Sequence, residues 1–340
     1  MIEDAIKKTV AAVNLNRNEA RLVMNLIMDG QATPAQITGL LVGLVQKGET
    51  AEEVTGFVES MREHAVKIEI DDKDAVDGCG TGGDNKHSFN ISTAAAIVAS
   101  AAGVTIAKHG NRSVSSKCGS ADLLEATGGN VDPGPEKVAE MINTIGFGFL
   151  FAPRFHPAMK HAAVPRRELG SRTVFNLLGP MTNPAGVRRQ VIGVYDKSVM
   201  RLMIEVLQAT GSEHVIVAHS RDGFDEFSIS APTGYLELKD ARITDHSVVP
   251  EELGLHSGDS DAVMGGDADA NLAILNNVLD GKQGPCRDAV IINTGAMIYV
   301  GGLADSIRHG VGIAGETIDT GKARKKLNDW ISAGGIEQPS

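Results

Sequence analysis

The stretch that most constrains this chain is Asp77-Gly78-Cys79-Gly80-Thr81-Gly82-Gly83-Asp84, in which four of six consecutive positions are glycine. The short apolar run Ala75-Val76 precedes it and an alanine-rich segment starting near Ser92 follows, so the pattern predicts strand, loop and helix. Without Cβ atoms in the way, such a loop can turn backbone N–H groups towards a phosphate or diphosphate, and the helix N-terminus behind it adds partial positive charge. Two common phosphate loops do not fit. Gly78, Gly80 and Gly83 spell G-x-G-x-x-G, but a dinucleotide fold needs an acid about 20 residues on, and none occurs between Asp84 and Asp122. No G-x-x-x-x-G-K is present either. An ordinary glycine-rich turn is the competing reading.

From Ala75 onward, short β-branched runs alternate with helical segments. Residues 104–107, 149–151, 191–195 and 215–218 read as buried strands, with helices at about 92–102, 135–145 and 198–210 between them. This implies an α/β fold with a largely parallel sheet covered by helices, its ligands at the carboxyl ends of the strands. Residues 227–229 and 235–238 suggest a small hairpin, and 268–333 three or four helices. Residues 1 to about 65 are helical throughout. Thr33-Pro34-Ala35-Gln36 and Thr50-Ala51-Glu52-Glu53 are capping boxes, and Gly30 and Gly48 stop the preceding helices. Four short helices bury little alone, so they should pack on another helical segment or a second subunit. The expected division is a smaller all-helical domain at 1–70, joined by part of 160–185, and an α/β domain at 75–335. Five prolines between Pro153 and Pro184 fit a crossing between the two.

Charge narrows the partner. The net charge of −11 disfavours nucleic acid, which selects basic surfaces. Yet Lys86, Lys108, Arg112 and Lys117 fall between Asp84 and Asp122 with no acid among them, and seven Lys/Arg between Arg154 and Arg189 face Glu168 alone. Two basic islands in an acidic protein suit a small polyanion. Three scattered cysteines without a C-x-x-C fit a reducing cytoplasm and argue against structural zinc, and neither a signal peptide nor an 18-residue apolar span is visible.

Four groups of residues carry chemistry. Asn90-Ile91-Ser92-Thr93 sits where the loop enters the helix, suited to capping, to phosphate or to both. Lys108-His109-Gly110-Asn111-Arg112-Ser113-Val114-Ser115-Ser116-Lys117-Cys118-Gly119-Ser120 is dense in donors, as a sugar phosphate requires, although a solvated loop would look similar. His109 reads as a hydrogen-bonding scaffold rather than a base. Asp225-Glu226 is either a solvated pair or, given the turn at Gly223, a pair of hard oxygen ligands for Mg²⁺. Arg166-Arg167, after Pro165, offer planar forks for a carboxylate, with a surface salt bridge to Glu168 or an interdomain contact as the alternative.

Together, Gly80-Thr81-Gly82-Gly83-Asp84, Asn90 to Thr93, Lys108 to Ser120, His161-Ala162-Ala163 with Arg166, Thr173 to Pro180 and Asp225-Glu226 resemble the anthranilate phosphoribosyltransferase family over nearly the whole chain. The resemblance implies a homodimer through the helical domain, Mg²⁺, and transfer of a phosphoribosyl group to anthranilate in tryptophan biosynthesis. Carried over by position, the phosphoribosyl diphosphate site would comprise Gly80, Gly83, Asp84, Ser88, Asn90, Ile91, Ser92, Thr93, Lys108, His109, Gly110, Asn111, Arg112, Ser113, Val114, Ser115, Ser116 and Ser120. Gly80, Asn111 and Arg166 would contact anthranilate, Ser92, Asp225 and Glu226 would hold the metal, and no general base is assigned. Asn85 stands where the family often has Gly, and Cys118 where Ser is commoner. A pyrimidine nucleoside phosphorylase and a non-catalytic nucleic-acid binder on the same scaffold are the rival readings.

Overall fold

The computed structural model describes residues 1–113 and 117–335. Four helices open the chain: α1 (Ile2–Val10), α2 (Arg17–Met28), α3 (Pro34–Lys47) and α4 (Ala51–His64). Both expected capping boxes form, and Asn16 with Glu19 makes a third that the sequence reading missed. The α/β part follows as β1 (Val76–Gly80), α5 (Ile91–Ala101), β2 (Ile106–Gly110), α6 (Ser120–Ala126), α7 (Pro135–Ile145), β3 (Phe147–Phe151), α8 (Ala152–Phe155), α9 (Lys160–Leu169), α10 (Phe175–Leu178), β4 (Arg189–Gly193), α11 (Met200–Ala209), β5 (His214–Ser220), β6 (Thr233–Lys239) and β7 (Arg242–Val248). Four helices close it: α12 (Ala268–Leu279), α13 (Pro285–Val300), α14 (Ile307–Asp319) and α15 (Lys322–Gly334).

The sheet runs β3-β2-β1-β4-β5-β6-β7, with β1 to β5 parallel and β6 and β7 antiparallel. The chain builds outward from β1 to β3, then returns to the other side of β1 with β4. That reversal opens a crevice at the carboxyl ends of β1 and β4. Register levels these ends: Gly80 lies opposite Gly193, Gly193 opposite Ala218, and Gly110 opposite Phe151.

One side of the sheet is covered by α5 and the closing helices. Nine of the eleven residues of α5 are buried, and its alanines, with no long side chain to hold neighbours away, let it sit close to β1, β2, α13 and α15. On the other side, α2 to α4, α9 and α11 share a single apolar layer with β4, β5 and β6; Phe57, Val58, Leu178, Met203, Ile204 and Val217 belong to it. The opening helices therefore find the second helical segment they need within the chain. Arg62 adds a polar tie from α4, donating to the carbonyls of Met181 (2.9 Å) and Thr210 (3.2 Å).

The hairpin expectation needs correction. β6 pairs with β7, not with residues 227–229, through a two-residue turn in which Asp240 and Ala241 both have positive φ (50° and 58°). Such a turn matches strand twist, but Asp-Ala lacks the glycine that usually signals it. Phe227 is held by Asn293 of α13 instead, which accepts from its N–H and donates to its carbonyl, both at 3.0 Å.

Candidate active site

The glycine loop leaves β1 at the crevice. Gly82 (φ 65°) and Gly83 (φ 79°) take left-handed conformations, as does Asn85 (φ 59°), which tolerates them better than most residues and so substitutes for glycine there. Thr81 N–H donates to the Gly193 carbonyl at 2.9 Å, joining the loop to the end of β4.

Beneath the loop lies a buried charged layer. Asp77 on β1 accepts from His109 N–H at 3.1 Å and from Asn183 Nδ2 at 2.9 Å, and burial raises its pKa to about 6. Lys108 on β2 is almost wholly enclosed; its Nζ donates to the Gly78 carbonyl at 2.6 Å and lies 3.5 Å from Ser92 Oγ. Burial lowers its pKa, while the charges of Asp77 and Glu226 oppose that shift. A cation is thus fixed directly under the loop.

The acidic pair closes the other side. Asp225 Oδ2 accepts from Gly82 N–H at 3.0 Å, Asp225 N–H reaches Asp84 Oδ2 at 3.4 Å, and the Ser92 N–H at the start of α5 is among the influences that lower the Glu226 pKa. The turn expected at Gly223 is present (φ 92°). Burial, followed by the charge of Asp84, raises Asp225 to about 7; burial and Asp225 push Glu226 well above the usual carboxylate range. Three carboxylates crowded in this way call for a divalent cation. Among the described residues, however, no three acidic, histidine or cysteine side chains surround one point. Mg²⁺ commonly takes one or two carboxylates and fills its shell with water and phosphate oxygens.

Gly80, Gly83, Asp84, Ser92, Lys108, Asp225 and Glu226 therefore converge, whereas other expected residues are engaged elsewhere. Arg112 pairs with Asp122 and Glu125 of α6. Asn90 begins α5 without capping it; its side chain donates to the Cys118 carbonyl (3.1 Å) and accepts from Asn271 (2.9 Å). Ile91 and Thr93 are buried in α5, and Ser88 pairs through its backbone with Met264. Ser120 Oγ bridges the N–H and carbonyl of Asn111, closing the mouth of the second loop after Gly110. Ser113 N–H donates to Asp122. Val114, Ser115 and Ser116 lie outside the described residues.

His109 behaves as a scaffold. Burial holds its pKa at about 3, Nδ1 meets the Gly179 carbonyl at 3.2 Å, and the buried Nε2 has no partner among the described residues. His156, its ring 5.1 Å away, is likewise depressed to about 4 by burial, and its Nε2 has no partner among the described residues. Arg166 on α9 makes no ion pair with Glu168 or any other described carboxylate. Its guanidinium lies over the Phe175 ring at 5.1 Å, and partial burial lowers its pKa. Sequence reasoning missed Asp77, Asn271 and Arg172, because their importance arises from partners distant in the chain, and Asp122, whose carboxylate accepts from Gly119 N–H at 2.8 Å.

The two-domain arrangement, with a loop-lined crevice at the strand switch, is that of a glycosyl transferase family: its helical bundle domain matches residues 3–65 and its a/b domain residues 72–324. An anthranilate phosphoribosyltransferase of Thioalkalivibrio sulfidiphilus is 50% identical over 331 residues, 97% of this chain and 98% of the relative. The crystal structure of the anthranilate phosphoribosyltransferase from Thermus thermophilus superposes with a TM-score of 0.93 at 41% identity, covering 97% of this chain and 99% of that one. The Saccharomyces cerevisiae enzyme in complex with PRPP and Mg gives a TM-score of 0.90 at 25% identity, over 98% and 97% of the two chains. The chain belongs to the anthranilate phosphoribosyltransferase family.

Proposed function

We propose that this protein transfers the phosphoribosyl group of 5-phosphoribosyl 1-diphosphate to the amine of anthranilate, releasing pyrophosphate, in tryptophan biosynthesis. The observation that carries the reading is the convergence of the glycine loop, Lys108, the α5 N-terminus and Asp225-Glu226 on one crevice. Departure of the diphosphate leaves positive charge on the ribose while negative charge grows on the leaving group, so fixed donors and cations aimed at the diphosphate lower the barrier. Loop N–H groups and Lys108 supply them. Mg²⁺, held by Asp225, Glu226 and Ser92, would neutralise further diphosphate charge when bound.

The arylamine of anthranilate is already unprotonated near neutral pH, so its placement matters more than proton abstraction. Arg166, without a carboxylate partner among the described residues and stacked on Phe175, is suited to grip the anthranilate carboxylate. Gly80 and Asn111 would border the same substrate, and the diphosphate contacts would follow the glycine loop and the Lys108 to Ser120 run. The paired Arg112 would have to exchange partners to join them.

The domain division is proposed as 1–70, joined by part of 160–185, and 75–335. A homodimer through the helical domain is supported by Val10, Val13, Val42 and Val45, all about half exposed or more on or beside α1 and α3. A cytoplasmic location accords with the free cysteines, and among the described residues no helix is long and apolar enough to cross a membrane. The test is loss of anthranilate fluorescence on adding phosphoribosyl diphosphate, with and without Mg²⁺. Phosphate-dependent thymidine cleavage in place of that loss would favour a nucleoside phosphorylase.

A further inference from the structure

Arg172 has no part in the roles assigned so far. Gly170 ends α9 in a left-handed conformation (φ 59°), and Thr173 N–H is held by Asn176 Oδ1 at 3.0 Å, so the short link carrying Arg172 is fixed at both ends. The side chain is exposed, yet it crosses to the glycine loop. Its guanidinium lies 4.0 Å from the centroid of the Tyr195 ring, and Nη2 donates to the carbonyl of Gly83. Among the described residues no carboxylate pairs with it. Tyr195 is itself tied to the loop, its N–H donating to Thr81 Oγ1 at 3.1 Å.

This contact orients a main-chain donor. In a planar trans peptide the carbonyl and the N–H point in opposite directions. With the Gly83 carbonyl turned towards Arg172, the N–H of Asp84 faces away from that side chain. Gly82 N–H is already committed to Asp225, whereas those of Gly83 and Asp84 have no partner among the described residues. Left-handed backbone at Gly83 makes this peptide easy to rotate, so an external clamp has a clear effect. A β-carbon at residue 83 would come within 3.3 Å of Arg172 Nη2, a sign of how closely the arm lies against the backbone.

We propose that Arg172 is a positioning residue for the diphosphate, locking the Gly83–Asp84 peptide so that Asp84 N–H faces the bound substrate. The inference rests on the phosphoribosyl transfer reading and extends it. The segment from Arg166 to Arg172 then serves both substrates, Arg166 acting on the anthranilate carboxylate and Arg172 on the loop that holds the diphosphate.

The test compares wild type, Arg172→Ala, Arg172→Lys and Arg166→Ala by initial rates with each substrate varied, by thermal denaturation, and by calorimetric binding of phosphoribosyl diphosphate with Mg²⁺. Arg172→Ala should raise KM and Kd for the diphosphate about tenfold, the scale of one charge-assisted hydrogen bond, with less than a twofold change in KM for anthranilate and no change in Tm. Arg172→Lys should recover part of the loss, because it keeps a donor but not the planar stack, and Arg166→Ala should show the opposite KM pattern. Unchanged diphosphate affinity in Arg172→Ala, or equal rises in both KM values, would overturn the proposal. A wild-type protein that binds the diphosphate but transfers nothing to anthranilate would overturn the functional reading instead, and the calorimetric comparison would still decide the role of Arg172.

Discussion

Gly193 and Asp225 approach so closely that a β-carbon on Gly193 would overlap the Asp225 carbonyl. The end of β4 is therefore the floor on which the acidic turn rests, and Gly80, its register partner on β1, faces Asp225 Oδ2 at 2.7 Å from its own missing β-carbon. Gly193→Ala must lift Asp225-Glu226 away from the glycine loop. Its expected result is loss of Mg²⁺-dependent transfer by roughly a hundredfold or more with a native circular dichroism spectrum; near-normal kcat at ordinary Mg²⁺ would show that the turn does not depend on this floor.

Removing the cation should act through the same carboxylates. Chelation with EDTA is expected to abolish transfer, and added Mg²⁺ to restore it. If Glu226 holds the metal as proposed, Glu226→Gln should raise the Mg²⁺ concentration giving half-maximal activity about tenfold or more, because a charged oxygen ligand would be lost. A Mg²⁺ titration of initial rates measures both.

The buried imidazoles set an acid limit. His109 and His156 have folded pKa values near about 3 and about 4, against an ordinary value of 6.5, so the unfolded chain binds their protons first. Their contribution to stability is present above pH 6.5 and is lost as the pH falls from there towards 4. Asp77, raised to about 6, has the opposite slope, since its burial becomes costly as the pH rises from 3.8. Subtracting variants separates the two. His156→Phe should lessen the loss of stability between about pH 7.5 and 4.5 by roughly 2 kcal/mol, read from urea unfolding at both pH values. An identical loss in variant and wild type would contradict the assignment.

Lys47 and Glu53 form a nearly fully buried ion pair at 2.8 Å, and Glu53 also accepts from Leu15 N–H and from the N–H and hydroxyl of Thr50. Glu53→Ala leaves the buried Lys47 with only neutral partners, Asn14 Oδ1 and the Gly48 carbonyl, and removes the Glu53 half of the α4 capping box. The expected loss is about 3–5 kcal/mol in chemical unfolding, far more than an exposed pair such as Arg201–Glu205 would give.

If the exposed valines of the opening helices meet a second copy, charge there should separate the subunits. Val42→Asp with Val45→Asp is expected to halve the molar mass seen by light scattering, at micromolar concentration. An unchanged mass would move the interface elsewhere.

Much of this was legible from one chain. Alternation of apolar runs and helices revealed the parallel sheet, because strands buried on both faces must be continuously hydrophobic, and the capping boxes located α3 and α4 because they are local hydrogen bonds. Lys108, Asp225 and Glu226 could be singled out from residue type and spacing. Their burial could not, since it depends on α5 and β4 closing over them. Arg112 appeared free because Glu125 lies thirteen residues away on a helix whose orientation is tertiary. The β6–β7 turn escaped notice because Asp240-Ala241 adopts a glycine-like geometry without glycine.

The apolar layer shared by the opening helices and the outer strands has a mechanical consequence. A bundle welded to the sheet through Phe57, Met203 and Val217 cannot swing on a free hinge; large displacements would have to shear interlocked side chains past each other. Opening of the crevice by relative movement of the two halves would therefore carry the cost of shearing this packing.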